Sequence, residues 1–377
     1  MSYLTLSDVE VAGKDVLVRS DLNVPLSDGG VADDFRIRAA LPTLEELVTD
    51  GAKVTVCSHL GRPDGADPAL SMRPVAERMN EMTDLSVVFD GPGDITVLEN
   101  TRFMAGETTN DPIVAKILSE GRDLFVQDAF GSVHRSHAST VGVAERIRSV
   151  AGPLLDGELR ALEKLLEDPA RPYTVVLGGA KVSDKLGVIS NLLPRVDRML
   201  IGGGMCFTFF RARGYETGYS LVEEEMIAQV AGLLDSEHGH KIMLPVDIAV
   251  GDVFDESADR RTVGATDIPR TTYGLDIGPK TAGGFWELID SSESVFWNGP
   301  MGVFEWESFR LGTERIAQAM AACEGYTVVG GGDSVAALRL LGMERSVSHV
   351  STGGGAGLEL LEGRELPGVA VLGRWAQ

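Results

Sequence analysis

The feature that most restricts this chain is a repeated unit. A short β-branched run ends abruptly in glycine or charged side chains, and a stretch with helical spacing follows. The predicted strands are "DVLVRSDL" (15–22), "KVTVCSHL" (53–60), "LSVVFD" (85–90), "ITVLEN" (95–100), "LFVQDAF" (124–130), "YTVVLGG" (173–179), "RMLIGGG" (198–204), "KIMLPVDIAV" (241–250), "SVFWNG" (294–299), "YTVVGGG" (326–332) and "VSHVSTGG" (347–354). Between the first two, Ile37, Ala40, Leu41, Leu44, Leu47 and Val48 recur at helical spacing. Strands alternating with helices require parallel sheets covered on both faces.

The fold class expected is therefore α/β, built from doubly wound, Rossmann-like parallel sheets, which bind ligands beyond the carboxyl ends of their strands. The unusual residues cluster at those ends. The first half supplies Arg19, Asp21, Asn23, Arg36, His59, Arg62, Arg102, His134, Arg135 and His137, whereas the second half supplies glycines, two lysines and an aspartate. Two domains with different ligands are the simplest reading, and 377 residues are enough for two cores. The expected division is 1–150 and 151–363, joined by a helix and hinge within "AGPLLDGELRALEKLLEDPARP" (151–172).

Formal net charge is -22, with only eight lysines among 34 basic residues. Such a surface repels polyphosphate, so no nucleic acid partner is expected. Acid excess with scarce lysine suggests a halophile's solvated surface. Against that background Lys181 and Lys185 stand four apart after a Gly-Gly turn. If Ser183 caps a helix through "DKLGVISNLL", both ammonium groups lie near its positive end, where a bound phosphate would justify them. No run is long enough to cross a bilayer and "MSYLTLSDVEV" lacks an export signal, so a soluble protein without a membrane partner is expected. Cys57, Cys206 and Cys323 are widely spaced without a C-x-x-C pair, which fits a reducing cytoplasm.

"GGGDSVAALRLLGM" (330–343) reads as strand end, glycine turn and helix start, a place where N–H groups meet an oxyanion. Asp333 there is either an N-cap or a Mg²⁺ ligand. "STGGGAG" (351–357) repeats the arrangement, and neither a P-loop nor a dinucleotide fingerprint occurs. "SHLGRP" (58–63) and "DAFGSVHRSHAS" (128–139) add His and Arg, whose guanidinium groups suit a small anion carrying phosphate and carboxylate. "EEE" (223–225) and "GDVFDESADRR" (251–261) are read as solvated faces, and the Met and Trp residues as core.

These segments, together with "ENTRF", "LPVD", "DIGP" and "WNGPMGVFEWESF", resemble the phosphoglycerate kinase family over essentially the full length. The resemblance implies reversible transfer of the acyl phosphate of 1,3-bisphosphoglycerate to ADP with Mg²⁺, giving 3-phosphoglycerate and ATP, by domain closure and charge neutralisation without a general base. It implies 3-phosphoglycerate binding by the N-terminal domain through Asp21, Leu22, Asn23, Arg36, His59, Leu60, Gly61, Arg62, Arg102, His134 and Arg135. The C-terminal domain would hold nucleotide through Gly179, Ala180, Lys181, Lys185, Gly203, Asn298, Pro300, Glu305, Gly331, Gly332, Asp333 and Ser334, with Glu305 on the ribose and Asp333 on the metal. Arg36, Lys181, Gly332 and Gly354 are expected to act on the moving phosphoryl group, and residues 364–377 to return to the N-terminal domain. The expected protein is a cytoplasmic monomer from a halophilic archaeon, with small molecules as its partners. A catalytically silent nucleotide-binding relative and a kinase for another small carboxylate are the alternatives.

Overall fold

The computed structural model describes residues 3–376. These fall into two compact units, one comprising the chain up to Arg160 together with the stretch from Arg364 on, the other Ala161–Gly363. The division lies within the helix Pro153–Leu166, later than residue 150.

The first unit contains β1 (Asp15–Arg19), a small hairpin of β2 (Leu26–Ser27) and β3 (Gly30–Val31), β4 (Lys53–Cys57), β5 (Val87–Phe89), β6 (Ile95–Val97), β7 (Leu124–Gln127) and β8 (Ser149–Ala151). Its main sheet is six-stranded, in the order β5-β6-β4-β1-β7-β8, with every pairing parallel. Val16, Leu17, Val18, Leu124, Phe125 and Val126 are all fully buried, so these strands carry apolar side chains on both faces. Helix Phe35–Thr49 packs Ile37, Leu41, Leu44 and Leu47 into the core, while Val48 is only partly covered. The last residues pack on this unit too: Gly368 N donates to Val133 O (2.8 Å) and Trp375 Nε1 to Ala144 O (2.8 Å).

The second unit contains β9 (Tyr173–Leu177), β10 (Arg198–Ile201), β11 (Ile242–Met243), β12 (Asp247–Gly251), β13 (Arg261–Gly264), β14 (Tyr273–Ile277), β15 (Ser294–Asn298), β16 (Tyr326–Gly330) and β17 (His349–Val350). Six of these form a second parallel sheet, β11-β10-β9-β15-β16-β17, and β13-β12-β14 form a small antiparallel one. In both large sheets the chain winds outward from a central strand, then returns to that strand's other side. The reversals lie at β1/β7 and β9/β15, the positions at which open α/β sheets form a crevice beyond their strand ends.

Several expectations need correction. The predicted strands end sooner, at Arg19, Cys57, Gln127, Leu177, Ile201 and Asn298, which frees the polar residues beyond them as loops. "KIMLPVDIAV" is two strands of two sheets, broken around Pro245, which has no N–H for a ladder. Strands β2, β3, β8, β13 and β14 were not foreseen. Ser183 caps nothing: the helix starts at Leu186, and Ser183 Oγ donates instead to Glu223 Oε1 (2.5 Å).

The loops after β9, β10 and β15 pack backbone against backbone. Gly179 N donates to Pro300 O (2.8 Å) and Gly203 N to Met301 O (3.0 Å). Gly203 has φ +65°, and a Cβ there would lie 2.5 Å from Gly179 N and 2.7 Å from Pro300 O. Gly203→Ala is therefore expected to lower the unit's stability by about 3 kcal/mol, through a left-handed residue and overpacking together. Urea unfolding checks this, and an unchanged midpoint would contradict it.

Candidate active site

In the first unit, side chains from four strand ends and one helix converge. Arg36, in the first turn of helix Phe35–Thr49, places a cation where the helix potential is already positive. Its compensation is Asp21, just past β1, whose Oδ1 lies 2.6 Å from Arg36 Nη1. Asn23 Oδ1 accepts from Gly61 N (2.8 Å), so the loops after β1 and β4 are tied together. Arg102, past β6, donates through Nη1 to Gly61 O. Arg62 and Arg135 are exposed, and both act electrostatically on Arg102.

The charge on this surface is concentrated. Burial, followed by repulsion from Arg135, Arg19 and Arg62, holds the Arg102 guanidinium below its usual value. Burial first, then Arg19, Arg102 and Arg36, pushes His59 well down, so it is neutral at physiological pH. His137 falls to about 4, chiefly through burial, although Glu107 opposes the shift. His59 is therefore a neutral hydrogen-bonding group, and the arginines supply the positive charge.

Leu22 and Leu60 stand beside these polar residues in the chain. Both are core residues, and their N–H groups donate to Ser58 Oγ (3.0 Å) and Asn100 Oδ1 (3.2 Å). Their carbonyls accept from Val24 N and Asn100 Nδ2. Their side chains belong to the core of this unit. Two residues without an assigned role prove central. Arg19 is fully buried, and its Nε donates to Ser139 Oγ (3.0 Å), which in turn donates to Glu107 Oε1 (2.5 Å). Glu107, inside "AGETTN", carried no signal in the sequence.

In the second unit a cavity of about 490 Å³ opens beyond the strand ends. Of the residues expected there, Gly179, Ala180, Gly203, Pro300, Glu305 and Asp333 line it. Much of its remaining wall is apolar: Phe207, Tyr219, Leu221, Phe254, Tyr273 and Leu275. Phe254 and Tyr219 are 62 % and 57 % exposed, and each packs against Tyr273, with ring centroids 5.9 and 5.4 Å apart. Such a wall suits the flat face of a base. Stretch 251–261 is thus only partly a solvated face, because Phe254 faces the cavity and Ala258 is core. A large aromatic ring amid acidic residues was the available clue.

Asn298, 2 % exposed, lies beneath the turn, and its Oδ1 accepts from Lys185 Nζ. Ser334 is buried with its Oγ accepting from Gly299 N (2.6 Å), which clamps two strand-end loops together. Gly331 (φ +91°) opens helix Gly332–Leu340, and Gly354 opens helix Gly355–Leu361. Open space lies where a Cβ would project from Gly332 and Gly354, as a close approach by an oxyanion needs. Glu223 corrects the solvated reading of "EEE". It is 8 % exposed, and Oε2 accepts from Val182 N (2.6 Å) and Ser183 N (3.1 Å), so this carboxylate anchors the loop carrying Lys181 and Lys185. Lys181 itself is exposed.

Asp333, exposed in the first helical turn and lining the cavity, offers one carboxylate. Among the described residues no cluster of three His, Cys, Asp or Glu side chains could hold a metal. A single carboxylate fits Mg²⁺, which keeps its waters and takes most other ligands from phosphate.

The phosphoglycerate kinase family model matches residues 6–364. The phosphoglycerate kinase of Salinispora tropica is 52 % identical, covering 99 % of this chain and all of that protein. That of Rubrobacter xylanophilus is 50 % identical over 99 % and 98 % of the two chains. The chain belongs to the phosphoglycerate kinase family. It is thus a phosphotransferase, and the fold agrees: the solved phosphoglycerate kinase from Coxiella burnetii superposes with TM-score 0.91 at 38 % identity over the whole of both chains. That from Pyrococcus horikoshii OT3 gives 0.87 at 32 %, covering 99 % of each. The curated relatives named are bacterial, so the expectation of a halophilic archaeal source finds no support. No helix among the described residues is long and apolar enough to cross a membrane.

Burial brings the Lys185 ammonium down to about 8, opposed by attraction to Asp184 and Asp333. The unfolded chain holds this proton more tightly, so stability gains from the group as pH rises through that value. A polyphosphate beside Lys185 would push the value back up. Binding of ADP at about pH 8.5 is therefore expected to take up a proton, and binding at about pH 6.5 to take up none from this group. Calorimetry in buffers of different ionisation enthalpy reads the difference. Lys185→Met should abolish it, and uptake persisting in that variant would refute the assignment.

Proposed function

We propose that the chain transfers the acyl phosphate of 1,3-bisphosphoglycerate to ADP and runs the reverse reaction, with the first unit holding the glycerate and the second the nucleotide. The carrying observation is the set of guanidinium groups from Arg19, Arg36, Arg62, Arg102 and Arg135 at one group of strand ends, in a chain of net charge -22. A three-carbon acid bearing phosphate and carboxylate matches that set. The base cavity, the lysine loop and the helix starts of the second unit match a nucleoside polyphosphate.

Transfer breaks the P–O bond to the glycerate carboxyl and forms a P–O bond to the terminal oxygen of ADP. Neither oxygen carries a proton at neutral pH, since carboxylic acids ionise at about 4 and phosphate's second step lies at about 6. No general base is required. The protein's task is in-line positioning and neutralisation of charge on the phosphoryl group. Arg36 serves this from the glycerate side, with Lys181 and the N–H groups of Gly332 and Gly354 from the nucleotide side. Glu305 holds the ribose. Asp333 would hold Mg²⁺, which would supply further positive charge for the phosphates when bound. Ligands carried by two units must be brought together with water excluded, so closure belongs to the proposed cycle. The cytoplasm and a monomeric state complete the reading.

A coupled assay with 3-phosphoglycerate, ATP and Mg²⁺ tests it. Arg36→Ala and Lys181→Ala are each expected to cost about 3 kcal/mol of transition-state stabilisation, roughly a hundredfold in kcat/KM. Wild-type inactivity, or full activity in either variant, would refute the assignment. Repeating the assay across KCl concentrations tests whether the acid excess is a salt adaptation.

A further inference from the structure

His59 follows β4, and its Nδ1 lies 2.9 Å from Nη2 of Arg19. A guanidinium has donors only and does not lose its proton in proteins. Nδ1 must therefore accept, and a nitrogen that accepts carries no hydrogen. The ring proton is left on Nε2, which makes no hydrogen bond among the described residues. We propose that Arg19 is a positioning residue that locks His59 as its neutral Nε2–H tautomer and presents that N–H to the anion bound by the first unit. The tautomer follows from the geometry alone, whereas the identity of the anion rests on the function proposed above.

The lock is rigid because Arg19 is fully buried and held on all sides. Its Nε donates to Ser139 Oγ (3.0 Å), and its Nη1 reaches Ser20 O and Ser58 Oγ (the latter 3.4 Å). Ser139 is fixed in turn by Glu107, which accepts from both its Oγ (2.5 Å) and its N–H (3.0 Å). The groups facing the ring come from separate elements: the charged Arg19 on β1, Arg36 on the following helix and Arg102 beyond β6, and the titratable His137 beyond β7. Burial and the three arginines oppose a second proton on the ring, with His137 adding to this only when it is itself protonated. Glu107 spends its carboxylate on Ser139, and Asp21 is paired with Arg36. The ring therefore offers directionality at a place where the arginines already provide charge.

Long-range ¹H–¹⁵N correlation on protein labelled at histidine tests this directly, with the His59 ring identified by its loss in His59→Gln. The expected spectrum is a single neutral Nε2–H form from about pH 6 to 8. A protonated ring or an Nδ1–H form would overturn the proposal. Kinetics provide the second arm, because the amide nitrogen of Gln reaches the place of Nε2, whereas that of Asn reaches only the place of Nδ1. His59→Asn should raise the KM for 3-phosphoglycerate roughly tenfold more than His59→Gln, with kcat changing less. Equal losses in both variants would eliminate the donor role. Arg19→Met, provided circular dichroism shows it folded, should give mixed tautomers, and an unchanged spectrum would overturn Arg19's part. If that variant does not fold, the wild-type spectrum and the Gln/Asn pair decide. Were wild type not to bind 3-phosphoglycerate at all, the proposed function would fail while the spectrum still judged the lock.

Discussion

Repulsion among like charges, sustained by the fold, is the constraint on which the remaining features depend. Arg36 stands at the positive end of a helix, and Arg102 is partly buried among the fields of Arg19, Arg62 and Arg135. Each arrangement is unfavourable in isolation. They persist because parallel strands end together: β1, β4, β6 and β7 are hydrogen-bonded into one sheet, so the loops leaving them emerge at the same edge. The buried runs supply the stability, and the loops beyond them carry the electrostatic cost. An anion bound there, as proposed, would remove part of that cost without any need to reshape the core.

The strand ends of the second unit are built by different means. Its loops carry few cations and approach one another through glycine backbones, with Gly179 and Gly203 at positive φ and Ser334 and Glu223 as side-chain clamps. Its helix starts lie close to open space, beside an aromatic wall. Lys185 is the exception, an ammonium kept partly desolvated beside Asn298. One unit concentrates formal charge, and the other offers oriented dipoles and a flat apolar face.

Much of this was legible in the sequence because parallel strands betray themselves as uninterrupted apolar runs, and every predicted run contains a strand. The polar residues at their ends were legible for the same reason. The features that stayed hidden depend on partners distant in the chain. Glu223 looks like its neighbours Glu224 and Glu225, and only the arrival of the 182–183 amides distinguishes it. Glu107 is likewise explained by Ser139, 32 residues away. Leu22 and Leu60 sit beside polar residues in their loops, yet their side chains are buried in the core. Strand β13 escaped because it is half exposed, and β14 because Gly274 and Asp276 interrupt its apolar run.

The central claim is that two chemically different anion sites occupy separate units, each at its own sheet reversal. Amide chemical-shift mapping measures this most directly. Titration with 3-phosphoglycerate alone should move resonances from the loops after β1, β4, β6 and β7, and titration with ADP and Mg²⁺ alone those after β9, β10, β15 and β16. If both ligands perturbed the same set of loops, or if neither perturbed those after β1 and β9, the account would be contradicted.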